Sequence, residues 1–159
     1  MTAASEADRD HLRSAIALAA EARASGNHPF GAVIVAADGA ILVRARNTVA
    51  ADGPTGHAEL NAVRAAAHLP AETLAAASLY SSTEPCAMCA GAIYWAGIGR
   101  LVYAQAETTL LTLTGADPGN PTLSLPCRQV LAAGQRPVEI VGPDLEDEAS
   151  AVHAGFWTP

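Results

Sequence analysis

Thr83-Glu84-Pro85-Cys86-Ala87-Met88-Cys89 places two thiols three residues apart, directly after a proline. Proline suits the start of a helix, because its missing N–H would find no partner there. A helix opening at Pro85-Cys86 puts Cys86 and Cys89 one turn apart on one face, so both sulfurs reach one ion. Cys86 then also lies at the positive end of the helix dipole, which favours thiolate, the form that binds metal. Upstream, Gly56-His57-Ala58-Glu59 adds an imidazole and a carboxylate. His57, Cys86 and Cys89 make a set of Zn2+ ligands, and Glu59 is left as an acid/base that need not touch the metal. A structural zinc site fills all four positions with protein, whereas a catalytic one keeps the fourth for water. His57 and Glu59 do not share a face of a regular helix. They converge if His57 lies at an irregular first turn, which the breakers Pro54 and Gly56 permit.

Outward from this stretch, strands alternate with helices. Residues 7–24 read as an amphipathic helix with Leu12, Ile16, Ala19 and Ala20 on one stripe, stopped by Ser25-Gly26-Asn27. The runs 31–35 and 41–43 read as strands, and Asp38-Gly39 between them signals a hairpin. The first run is apolar on both faces, as in a covered central strand. Residues 47–56 read as loop and 57–68 as a helix. A strand follows at 79–81, the cysteine helix at 86–96 closing at Gly97, and a strand at 100–103. Then come a helix at 106–113, a Gly/Pro/Asn-rich loop at 115–126, a helix at 127–133, a strand at 138–141 and an acidic helix at 144–154. This order predicts an α/β fold: a three-layer α/β/α sandwich around a five-stranded mixed sheet, in a single domain over 1–159.

Composition narrows the function classes. The chain has 159 residues, half of them apolar, and a net charge of −7; its nine basic residues are all arginine. No basic block offers a broad nucleic-acid footprint. No apolar run is long enough to span a bilayer, and the N-terminus opens acidic and polar, unlike a signal peptide. Three cysteines, an odd number, favour reduced thiols and metal ligation over a disulfide framework, so a cytoplasmic location is expected.

His57-Ala58-Glu59 followed by Pro85-Cys86-Ala87-Met88-Cys89 resembles the signature of the zinc-dependent cytidine/nucleobase deaminase superfamily. His28-Pro29-Phe30-Gly31-Ala32-Val33, Arg46-Asn47 and Ala90-Gly91-Ala92-Ile93-Tyr94-Trp95 resemble its guanine deaminase and tRNA adenosine deaminase branch. The resemblance implies a cytidine deaminase-like fold and a hydrolytic deaminase in which Glu59 moves protons. It implies that Asn47 and the Ala58 backbone N–H meet the substrate, and that Phe30 and Trp95 stack on it. Asp117 would read a purine edge. Phe156 and Trp157, in the tail 155–159, would close the pocket, and the protein would be a homodimer. Guanine, converted to xanthine and ammonia, is the leading substrate. A tRNA adenosine, cytosine, a nucleoside or an aminotriazine are alternatives. The acidic run Glu146-Asp147-Glu148 argues against a tRNA contact.

Plainer readings stand beside these. Cys-x-x-Cys alone also fits a redox pair or half of a zinc ribbon, though neither gives His57 a role. The set could also stabilise a non-catalytic zinc-binding module. Cys127 reads as a small buried residue and not a fourth ligand. Trp95 could equally be core, Asn47 could cap a turn, and Phe156-Trp157 could pack at an interface without meeting substrate.

Overall fold

The computed structural model describes residues 3–158. Pro159 lies outside them, so the tail is described through Thr158. In chain order the elements are α1 (Glu6–Ala24), β1 (Gly31–Val35), β2 (Ile41–Arg46), α2 (Val49–Asp52), α3 (Ala58–Ala65), α4 (Ala71–Ala75) and β3 (Ser78–Thr83). There follow α5 (Ala87–Ala96), β4 (Arg100–Gln105), α6 (Glu107–Thr114), α7 (Cys127–Ala132), β5 (Glu139–Val141) and α8 (Glu146–Ala151). The strands form one mixed sheet in the order β2-β1-β3-β4-β5. β1 runs antiparallel to β2 and β3, while β3, β4 and β5 are parallel.

Strand alternation divides the core in two. Ala32, Ile34, Leu79, Leu101 and Tyr103 face α3, α5 and α7, where Ala62, Ile93 and Leu131 meet them. Val33, Val35, Tyr80, Val102 and Ala104 face the other way, onto Leu12 and Ile16 of α1 and Ala149 of α8. This is the expected three-layer sandwich with five strands. β1 is buried along its whole length, as its two-sided apolar run implies. A Cβ at Gly31 would collide with the Ala15 carbonyl, so this glycine lets α1 lie close against the sheet. Two single-turn helices, α2 and α4, were not legible in the sequence. A four- or five-residue helix is too short to show a 3.6-residue period.

Candidate active site

α3 and α5 begin side by side at the C-terminal end of β3. His57 is the N-cap of α3, with extended backbone at φ −77° and ψ 145°. Glu59 follows in the first turn. The irregular cap therefore supplies the convergence that a regular helix would deny. Cys86 caps α5 in the same manner, at φ −63° and ψ 170°, and Cys89 follows one turn on. Gly97 closes that helix in the left-handed region at φ 84°.

His57 Nδ1 lies 3.6 Å from Cys86 Sγ and 3.6 Å from Cys89 Sγ. All three ligand atoms fall within 4.8 Å of one another. Zinc bonds of about 2.3 Å to sulfur and about 2.0–2.1 Å to nitrogen, at tetrahedral angles, span an N···S edge of about 3.6 Å. The donor set and its spacing therefore fit zinc. A hydrogen bond with Cys89, reinforced by His57, pulls the Cys86 thiol down to about 4, toward the thiolate a metal needs.

Glu59 is buried, and desolvation pushes its carboxyl above the usual range against the opposing pull of Ser81. The Ser81 hydroxyl lies 2.6 Å from Glu59 Oε1 and 2.6 Å from the Thr83 carbonyl. One hydroxyl proton cannot serve two acceptors. With Glu59 ionised, Ser81 donates to it. With Glu59 protonated, the carboxyl donates to Ser81, which turns its own proton to Thr83. Either state of Glu59 finds a partner.

His57, Glu59, Thr83 and Cys86 line a cavity of about 640 Å³ together with His28, Phe30, Asn47, Glu84, Met88, Glu107 and loop residues 118–123. Asn47 is 2% exposed, and its Oδ1 accepts the Val49 N–H at 3.0 Å, so its amide presents N–H donors to a ligand. Phe30 is in the wall of the cavity. Ala58 packs its side chain into the core. As the first residue of α3, its N–H has no intrahelical acceptor.

Four residues expected at the substrate lie outside the cavity lining of this chain. Trp95 is 85% exposed and lies outside the cavity. At about 100° per residue it points away from the face that carries Cys89 and Ile93. Asp117 is also outside the lining. Its carboxylate accepts the Gly119 N–H at 2.7 Å and the Thr158 N–H at 2.6 Å, closing the loop and pinning the tail. Phe156 and Trp157 stand behind the wall and do not form it. Trp157 meets His28 edge-on at 5.0 Å and donates from Nε1 to His153 Nδ1 at 3.0 Å. Arg23 holds the segment by donating to the Val152 and Ala154 carbonyls at 2.8 Å, with its guanidinium over Phe156. The tail thus braces His28 and Phe30 from outside, within the same chain.

Two carboxylates carry roles that sequence reading missed. Glu84 accepts the Cys127 N–H at 2.9 Å through Oε1 and the Glu107 N–H at 3.1 Å through Oε2. It ties the cysteine turn to the starts of α6 and α7, and Cys127 is a buried residue at that joint. Glu146, the first residue of the acidic run, accepts the Ala106 N–H at 2.9 Å and the Thr109 hydroxyl at 2.8 Å. Neither contact has a local sequence signal, since each partner lies more than twenty residues away. Glu107 lines the cavity half-buried. Burial, with Cys86 and Glu84 nearby, pushes its carboxyl up to about 7.

Residues 5–105 match the family model for the cytidine and deoxycytidylate deaminase zinc-binding region. The chain belongs to this zinc-dependent deaminase family. It is 42% identical over 156 residues to a probable cytosine deaminase of Schizosaccharomyces pombe, spanning 98% of this chain and 96% of that one. It is 47% identical to the guanine deaminase of Bacillus subtilis over 100 residues, 61% of this chain and 64% of the other. Among solved structures, a guanine deaminase from Nitrosomonas europaea superposes with a TM-score of 0.75 at 25% identity, covering 96% of this chain and 84% of that one. The deaminase is thus a zinc hydrolase acting on C–N bonds.

Proposed function

We propose that this deaminase acts on a free nucleobase, with cytosine as the leading substrate and guanine as the second. The zinc triad set beside Glu59 at the cavity is the observation that carries the reading. The lining contributes Glu59, Glu84 and Glu107 but no arginine. Such a wall suits a neutral ring and opposes the phosphate of a nucleotide. Similarity to the cytosine deaminase covers 98% of the chain and so includes the loop residues 118–123 that line the pocket, whereas that to the Bacillus guanine deaminase covers 61% of it. The sequence favours guanine first; the full-length match moves cytosine ahead of it.

His57, Cys86 and Cys89 would hold the metal. Bound there, zinc would supply a Lewis acid that lowers the pKa of a water to about 7. Ser81 holds Glu59 Oε1, leaving Oε2 to take up a proton. Glu59 passes the proton to the ring nitrogen beside the amino-bearing carbon, then assists the departing amine. The net change replaces an amino group with oxygen: cytosine and water become uracil and ammonia. Asn47 orients the ring by donating to it, and Phe30 offers an aromatic face. A site built on two thiols suits a reducing compartment, and the cytoplasm is proposed for it. A homodimer is proposed as well, with the exposed Trp95 as a contact.

Glu59→Gln tests the assignment. It keeps size and hydrogen bonding to Ser81 but removes the base. Ammonia release is expected to fall about 10²–10⁴-fold with one zinc retained per chain. Undiminished turnover in that variant would remove Glu59 from the mechanism.

A further inference from the structure

Three carboxyl side chains line the cavity, and two are already engaged. Glu59 Oε1 is held by Ser81 at 2.6 Å. Both oxygens of Glu84 accept backbone N–H groups, from Cys127 and Glu107. Among the described residues, no hydrogen bond or ion pair engages the Glu107 carboxylate. No N–H of its own helix bonds it. The N–H groups of the N-cap Ala106 and of Glu107 itself are taken by Glu146 at 2.9 Å and Glu84 at 3.1 Å. The same two bonds anchor the start of α6 from opposite sides, one to the cysteine turn and one to α8. A side chain on so constrained a backbone can be placed accurately.

A half-buried carboxylate without a partner is costly, and an N–H from a ligand would repay that cost. The wall holds no arginine to compete for it, and Asp117 is committed to Gly119 and Thr158. Asn47 presents donors, because its Oδ1 is tied to Val49. The complementary need of a nucleobase is an acceptor for its ring N–H. Cytosine carries that hydrogen on N1 and guanine on N9, the atoms that bear the sugar in a nucleoside.

We propose that Glu107 is a specificity-determining residue of this site. Its carboxylate accepts the ring N–H of a free base, a hydrogen that a nucleoside has exchanged for a glycosidic bond. The inference deepens the free-base reading and rests on it. A nucleoside both lacks the donor and brings a sugar against the acceptor, so it is rejected twice over.

The test uses the zinc-loaded full chain as wild type, Glu107→Gln and Glu107→Asp, with cytosine, guanine, cytidine and guanosine as substrates. kcat and KM are read from ammonia release, with zinc content and thermal midpoint as controls. Wild type is expected to prefer a free base over its nucleoside. Glu107→Gln should raise KM for that base about 10–100-fold, with kcat within about three-fold and zinc retained. Glu107→Asp keeps the charge and should recover part of the loss. If KM is unchanged in Glu107→Gln, or if kcat alone falls, Glu107 does not read the ring. If wild type prefers a nucleoside, the inference also fails. No turnover of any free base by wild type would sink the parent reading, and this one with it.

Discussion

Ser81 shows how closely a single side chain can be tied to the chemistry. Its hydroxyl sits 2.6 Å from both Glu59 Oε1 and the Thr83 carbonyl, and its proton can serve only one of them at a time. Ser81→Ala leaves zinc ligation intact but withdraws this partner. The expected outcome is a kcat lower by about ten-fold with KM unchanged, read from ammonia release beside a zinc assay. An unaltered kcat would show that Glu59 needs no such support. The zinc triad itself is legible in the sequence, because helix starts and a three-residue spacing are local features. Ser81 is not: Tyr80-Ser81-Ser82-Thr83 is an ordinary strand until β3 brings it under α3. The placement of Trp95 outside the cavity was not legible for a related reason. Its aromatic character is visible in sequence, but its direction depends on the rotation of α5.

Between elements, the strongest tie is Asp8. It leaves α1 to meet Arg100 of β4, whose Nη1 and Nη2 donate to its two oxygens at 2.7 and 3.1 Å. Tyr80 of β3 donates to the same carboxylate at 2.7 Å. Asp8 is 5% exposed, and the Arg100 guanidinium holds its pKa well below the usual carboxylate range. A depressed folded pKa contributes stability that is present above the unfolded value of about 4 and lost as pH falls below it. Asp8→Asn leaves Arg100 without its charge partner and should cost about 3–5 kcal/mol at neutral pH. At about 2–4 °C per kcal/mol, the thermal midpoint would drop roughly 6–20 °C. The gap between variant and wild type should narrow as pH falls below about 4. A gap that is small at pH 7, or constant with pH, would contradict the assignment. At this scale the strands, the hairpin and the main helices are legible from periodicity and turn residues. The braces are not. Glu84, Glu146 and Arg23 act on distant backbone groups, and only the packed layers bring those within reach.

For the molecule as a whole, the sandwich fixes the floor of the site, and its walls come from His28 and Phe30, the segment from Asn47 to Thr55, and loop residues 118–123. The floor follows from two short motifs and the alternation of strands and helices. The walls depend on where loop 115–126 and the tail come to rest. That is why Asp117, Phe156 and Trp157 turn out to be supports and not lining. Among the described residues, no helix is long and apolar enough to cross a membrane. The net charge of −7 and the absence of lysine make a polyanion a poor partner, which agrees with a small neutral substrate. The central claim is hydrolytic deamination of a free base, and its most direct test is ammonia release by the zinc-loaded chain. The panel would be cytosine, guanine, adenine, cytidine, guanosine, an aminotriazine and a tRNA anticodon stem-loop. Turnover of cytosine first or guanine second is expected, with the nucleosides and the stem-loop slow or inert. Preferred turnover of the stem-loop or a nucleoside, or silence across the panel with one zinc bound per chain, would contradict it.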